Sequence, residues 1–234
     1  MSMVTLQFLF LGFAPGLLWL WFFRRKDDLE PEPRLLLLSS FLLGGLSVFL
    51  VLWIRPHWEA VLLPPEPGWS QDLFDAFLIT ACGEEFCKLL VFFFGAYLLR
   101  EFDEPLDGVI YGIAVGLGFA SVENTFFLFK TGDPWVVVMR SFTATLGHVV
   151  FSGSLGFFFG IAKFYRPWMK IILMPAGLIT AVFLHGCYDF FLFTNSNLKF
   201  LSLLLLLPLM LVLLAVKIRI LRGHSHRFHS QTQA

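Results

Sequence analysis

The chain has 234 residues, of which 57% are hydrophobic, 18% are aromatic and only 15% are charged, with a formal net charge of zero. Soluble domains carry about a quarter charged residues, so this composition indicates a membrane protein. The absence of net charge argues against a nucleic-acid partner, and the length leaves little chain for a separate soluble domain.

Apolar stretches long enough to cross a bilayer, about 20 residues each, predict about seven transmembrane helices. In chain order the predicted spans are 4–23, 35–54, 72–99, 107–130, 135–164, 168–193 and 200–218. The first stretch has no preceding positive charge and no small-residue cleavage site, so it predicts a span and not a cleavable signal. We therefore expect an all-α, polytopic helix bundle embedded in the lipid bilayer.

We expect one membrane-embedded domain over residues 1–234, with N-terminal helices at 4–54 and a functional core at 72–193. The C-terminal helix at 200–218 precedes a tail. With the N-terminus outside, the inner connections hold 12 of the 17 basic residues. Because lysine and arginine concentrate in cytoplasmic loops, this distribution predicts an inner-membrane protein with its C-terminus in the cytoplasm. The basic residues outside are Arg55, Lys130 and Lys199.

Ionisable residues away from the span ends are the unexpected feature of the sequence. There are eight of them: Glu84, Glu85, Lys88, Glu123, Arg140, His148, His185 and Asp189. Each charged side chain costs roughly 2.5–3.5 kcal/mol at the centre of a span, so such residues indicate function. At 1.5 Å per helical residue, four of them lie about 10–20 Å below the outer boundary although their spans alternate in direction. These four (Glu84, Glu123, His148 and His185) can therefore meet in the outer half of the bundle.

The spacing of these residues suggests how they cooperate. Lys88 shares a helix face with Glu84 and Glu85, at i,i+4 and i,i+3, and can hold one carboxylate ionised. Asp189 follows His185 at i,i+4, a spacing at which a carboxylate orients an imidazole. Asn124 can donate a hydrogen bond to a developing oxyanion. Arg140 can neutralise the acidic cluster or bind a substrate carbonyl.

Three motifs in this set resemble those of a known family. "EEFCK" (84–88) fits EExxK, "FASVEN" (119–124) fits FxxxEN, and "HGCYD" (185–189) fits HxxxD. Together with Arg140 and His148, they resemble the PrsW family of intramembrane proteases, which is related to the CAAX-prenyl protease and bacteriocin-processing clan. The resemblance implies a bacterial protease that cleaves membrane-tethered proteins, including anti-sigma factors. It also implies that Glu84 and Glu85 are the paired glutamates of the family and that His185 is its essential histidine.

Two chemistries are open for such a site. In a glutamic mechanism, Glu84 is the base acting on a water that His148 or His185 also holds. In a metal mechanism, zinc or another divalent ion is bound by two or three of four ligands, and Glu85 is the base. The candidate ligands are Glu84, Glu123, His148 and His185. A serine or cysteine nucleophile is less favoured, since Ser121, Ser152 and Cys187 lie in no established nucleophile motif.

Other classes of function also fit buried acidic and histidine residues. They occur in the ion pathways of proton- or ion-coupled transporters, although the sequence has none of the internal repeats typical of such proteins. A scaffold that binds transmembrane helices without cutting them is a third alternative. The expected partner in the protease interpretation is a membrane-tethered protein substrate.

Overall fold

The computed structural model describes residues 3–25, 31–62, 66–194 and 197–232, without the side chains of the last nine. All regular elements in these ranges are helices. We number them α1 to α8: α1 (Met3–Arg24), α2 (Arg34–Val61), α3 (69–97), α4 (Pro105–Thr131), α5 (Trp135–Phe142), α6 (Ala144–Phe164), α7 (Met169–Phe193) and α8 (198–232).

The polytopic helix bundle predicted from the sequence is confirmed. Six helical stretches are long and apolar enough to cross a membrane: α1, α2, α4, the continuous region Trp135–Phe164, α7 and Leu198–Gly223. The remaining predicted span, 72–99, corresponds to α3, which is a succession of shorter segments. They are Trp69–Phe74, the π-helical Asp75–Ala81, Cys82–Phe92 and the π-helical Phe93–Tyr97.

Three span boundaries differ from the predictions. Helix α2 continues to Val61 with Pro56 inside it, well past the predicted end at residue 54. The predicted span 135–164 is divided at Thr143, where φ is −120° and ψ is −92°. The last helix runs to Thr232 instead of ending at 218. Helix ends and breaks depend on local backbone contacts, and apolar length alone does not indicate them.

Helix α4 is the centre of the bundle, since 94% of its apolar window is buried, compared with 17% for α1. It packs against α6 on a face of small residues. A Cβ on Gly112 would lie 2.5 Å from the carbonyl oxygen of Ser152, and one on Gly116 would lie 2.6 Å from that of His148. These glycines therefore permit backbone-to-backbone approach of α4 and α6.

Candidate active site

The site is built where the middle of α3 meets the C-terminal halves of α4 and α7 and the N-terminal half of α6. Helix α3 supplies Glu84, Glu85 and Lys88 just after the wide π-helical segment Asp75–Ala81. Helix α4 supplies Glu123, α6 supplies His148, and α7 supplies His185 and Asp189. The convergence expected from the matched depths of these residues is therefore present. π-Helical turns are frequent at functional sites because they locally alter which side chains face inward.

Lys88 is at the centre of this cluster and is 1% exposed. Its ammonium group donates to Glu85 Oε1 at 2.8 Å and to Glu84 Oε2 at 3.2 Å. Its Nζ also lies 3.0 Å from His148 Nδ1 and 3.9 Å from the centroid of the Phe119 ring. A single lysine thus joins the two glutamates of the EExxK motif to the histidine of α6, and its charge compensates theirs.

His148 and Glu123 form the second pair. Nε2 of His148 lies 2.8 Å from Glu123 Oε2, so the ring is held between this carboxylate on one side and Lys88 on the other. Glu123 Oε2 also accepts from Arg140 Nη2 at 3.0 Å. The position of Glu123 is therefore fixed by partners on two other helices, α5 and α6.

Both ring nitrogens of His185 contact carboxylates. Nδ1 lies 2.9 Å from Glu85 Oε1, and Nε2 lies 3.2 Å from Asp189 Oδ2 and 3.9 Å from Glu84 Oε2. The imidazole also stacks on Phe151, with ring centroids 4.6 Å apart and planes inclined by 14°. Ionised carboxylates only accept hydrogen bonds, so this arrangement favours a ring that carries a proton on both nitrogens.

The two adjacent glutamates differ in access to the surface. A cleft of 420 Å³ exposes Glu84, Glu123, His148, His185 and Asp189 along its wall. Glu85 is 0% exposed and does not contribute to that wall. Glu84 is therefore the glutamate that a substrate in the cleft can meet, whereas Glu85 contacts Lys88 and His185 from behind.

Asn124 is placed differently from the sequence expectation of an oxyanion donor. Its amide NH₂ donates to Thr145 Oγ1 at 3.0 Å, and its carbonyl oxygen accepts from Arg140 Nε at 2.7 Å. The side chain is fully buried and does not line the cleft. It holds Arg140, which also lies over the Phe127 ring at 4.0 Å and does line the cleft.

Tyr188 and Arg55 are among the cleft residues that were not singled out from the sequence as site residues. Tyr188 lies in the HGCYD stretch between His185 and Asp189, and Arg55 comes from the extension of α2 that the span prediction missed. Tyr188 occurs inside a recognised motif, so the motif itself was a signal for it. No sequence signal pointed to Arg55.

One group of side chains in the described part of the chain has the arrangement of a metal site. Glu84, Glu123 and His148 each offer a ligand atom, and these atoms all lie within 4.8 Å of one another. Two carboxylates and one imidazole are an ordinary donor set for zinc, so these residues fit a divalent ion. His185, the fourth predicted ligand, is outside this group.

Comparisons with known proteins agree with this geometry. Residues 32–216 match the family described as PrsW family intramembrane metalloprotease. The chain is 38% identical to Protease PrsW of Geobacillus kaustophilus over 77% of each chain. It is 33% identical to Protease PrsW of Bacillus subtilis over 80% of this chain and 83% of that one. No solved structure matches the chain.

The fold and site are thus those of a polytopic intramembrane protease. The chain belongs to the PrsW family of intramembrane metalloproteases. This membership confirms the resemblance seen in the three motifs and favours the protease over the transporter and scaffold alternatives. It also favours the metal mechanism over the purely glutamic one.

Proposed function

We propose that this protein hydrolyses peptide bonds of membrane-tethered proteins, using water activated in the cleft between α3, α4, α6 and α7. The observation that carries the proposal is the convergence of Glu84, Glu123 and His148 on that cleft. The whole chain, 1–234, acts as one membrane-embedded unit in this account, because residues from four helices are needed to build the site.

Glu84, Glu123 and His148 would hold the metal, and their donor atoms favour zinc. When bound, the ion supplies Lewis acidity, which polarises a carbonyl oxygen and makes a bound water more acidic. Lys88 donates to Glu84 and to Glu85 and would hold both carboxylates in place beside the ion. The same lysine offsets the excess of negative charge around the ion.

We assign the proton of the attacking water to the Glu84 carboxylate oxygen that would not hold the metal, because Glu84 is the glutamate of the EExxK pair that lines the cleft. His185 donates a proton to the departing amine. Its Nε2 lies 3.9 Å from Glu84 Oε2, so one bridging water can return the proton taken by Glu84 to His185. The balance is hydrolysis: the hydroxyl joins the carbonyl carbon, the C–N bond breaks, and the amine leaves protonated.

The other polar residues act by positioning. Glu85 and Asp189 hold the two nitrogens of His185, and Asn124 holds Arg140 against Glu123. A metal ligand or a catalytic acid keeps its orientation when a neighbouring side chain forms a hydrogen bond with its other polar atom. Arg140 also lines the cleft and can contact a substrate carbonyl.

We propose that the N-terminus lies outside the inner membrane and that the C-terminus lies in the cytoplasm. The excess of basic residues in the connections at the helix ends away from the cleft supports this orientation. In this orientation the cleft opens towards the outer face, so cleavage falls near the outer end of a substrate's transmembrane segment. Cleavage mapped to the cytoplasmic side would overturn the orientation or the site.

Purified protein in lipid nanodiscs, incubated with a library of membrane-anchored peptides, tests the proposal by mass spectrometry of the products. Wild type should cleave, and Glu84→Gln should lower the rate by at least about 1,000-fold, since base and metal ligand are lost together. Glu59→Gln is the matched control, because Glu59 is an exposed glutamate paired with Arg55, and it should cleave as wild type does. Cleavage by Glu84→Gln at the wild-type rate would contradict the assignment.

A further inference from the structure

A groove at the opposite end of the bundle from the active site has the chemistry of a lipid headgroup site. It lies between the last turns of α1 and the first turns of α2 and has a volume of 470 Å³. Three arginines (Arg24, Arg25 and Arg34) stand on its rim. The remaining wall is apolar and is made by Leu17, Leu20, Trp21, Leu37 and Leu38.

The three arginines have no ion-pair partner among the residues that the structure describes. Nε of Arg24 is buried and has no hydrogen-bond partner there. The Arg25 guanidinium lies 4.0 Å from the centroid of the Trp21 ring, which orients it without neutralising it. Arg34 is the first residue of the 28-residue helix α2, whose N-terminal dipole adds positive potential. Among the described residues, the groove therefore presents positive charge without a carboxylate partner, beside a buried donor that makes no hydrogen bond.

The apolar wall decides which anion fits. Trp21 is 56% exposed and Leu38 is 43% exposed, and both belong to helices that face the bilayer. The groove is thus continuous with the lipid-facing surface, where acyl chains can lie against leucine side chains. A small soluble anion would use the arginines but would leave this wall without a partner.

We propose that this groove binds an anionic phospholipid, with the phosphate between Arg24, Arg25 and Arg34 and the acyl chains along α1 and α2. Basic pockets between transmembrane helices bind such headgroups. Three arginines match a lipid with two phosphates better than a lipid with one, so cardiolipin binds more tightly than phosphatidylglycerol. The lipid fastens α1, the loosely packed helix, to α2.

Native mass spectrometry of the full-length protein in detergent, titrated with cardiolipin, phosphatidylglycerol or phosphatidylcholine, tests this site. Each arginine contributes about fivefold in affinity, so wild type should prefer cardiolipin to phosphatidylcholine by on the order of 100-fold. The triple variant Arg24→Gln/Arg25→Gln/Arg34→Gln should lose that preference. The control Arg100→Gln/Arg166→Gln/Lys170→Gln removes the same charge from the same membrane side outside the groove and should keep it.

Several outcomes would overturn the proposal. Equal affinity of wild type for cardiolipin and phosphatidylcholine excludes a headgroup site, and this result does not depend on whether any variant folds. Equal losses in the groove variant and in the control indicate diffuse surface charge. Inorganic phosphate that displaces cardiolipin at comparable concentration indicates a soluble anion as the ligand.

Discussion

The two halves of α4 face the same neighbour, α6, in different ways. In the N-terminal half of α4 the two helices touch through their backbones at glycines such as Gly112. In the C-terminal half of α4, polar side chains bridge the helices, as between Glu123 and His148 and between Asn124 and Thr145. The glycine contacts position the α6 backbone at His148, so close packing in one half determines the geometry of the site in the other.

The largest effect on stability and cleavage is expected at the buried charge of Lys88. Lys88→Met leaves Glu84 and Glu85 without their shared cation, and removing one partner of a buried ion pair costs about 3–5 kcal/mol. Thermal unfolding in nanodiscs should show a large loss of stability, and cleavage should be lost as well. Lys217→Met is the control, because the Lys217 ammonium has the neutral Ser154 hydroxyl as its acceptor. Equal losses in both variants would contradict the account of Lys88.

Disturbing the glycine contacts between α4 and α6 should also disturb the polar contacts between these helices. In Gly116→Ala, the added Cβ would lie 2.6 Å from the His148 carbonyl oxygen and 2.8 Å from Ser152 Oγ. Overpacking of this kind costs about 1–3 kcal/mol, and it should displace His148 and lower cleavage along with stability. Gly83→Ala meets no atom within 4 Å and should be neutral or slightly stabilising. A fully active, stable Gly116→Ala variant would show that the glycine packing does not determine the geometry of the site.

Removing the partner of a ligand should weaken the site without unfolding it. Arg140→Gln removes the hydrogen bond from Arg140 to the Glu123 carboxylate. Loss of such a partner typically lowers metal affinity by about 10–100-fold. A competition titration with a chelator measures this change directly. Arg55→Gln, at the other cleft arginine, should leave the metal affinity unchanged because Arg55 pairs with Glu59. Unchanged affinity in Arg140→Gln would argue against Glu123 as a ligand.

The smallest expected effect is at the periphery of this network. Thr145→Val removes the acceptor of the Asn124 amide and leaves a buried donor without a partner, at a cost of about 1–3 kcal/mol. Thr131→Val removes an exposed hydroxyl that bonds to its own helix and should change unfolding temperature little. If both variants have the same unfolding temperature as wild type, the Asn124–Thr145 hydrogen bond contributes nothing measurable to stability.

Much of this arrangement is predictable because helices have a fixed rise. The apolar lengths predict the spans, and the depths of Glu84, Glu123, His148 and His185 predict that they meet. The i,i+3 and i,i+4 spacings predict the contacts of Lys88 and of Asp189. These inferences need only the sequence and one helix at a time, together with the thickness of the bilayer.

The remainder depends on contacts between distant residues. The break at Thr143 and the π-helical segment Asp75–Ala81 arise from packing, which the apolar pattern does not record. The same is true of the Glu32 carboxylate, which accepts a hydrogen bond from Tyr111 on α4. The sequence also left open which of Glu84 and Glu85 lines the cleft. Adjacent residues on a helix point in different directions, and the positions of the neighbouring helices determine which of them meets the cleft.

The central claim is that Glu84, Glu123 and His148 form a metal site, and metal content measures it most directly. Elemental analysis of purified wild type, Glu123→Gln and His148→Ala, with Glu59→Gln as control, reports binding independently of cleavage. The account predicts about one zinc ion per chain in wild type and in the control, and a clear loss in the two ligand variants. An active wild type with no bound divalent ion and full resistance to chelators would contradict it and would support the glutamic mechanism.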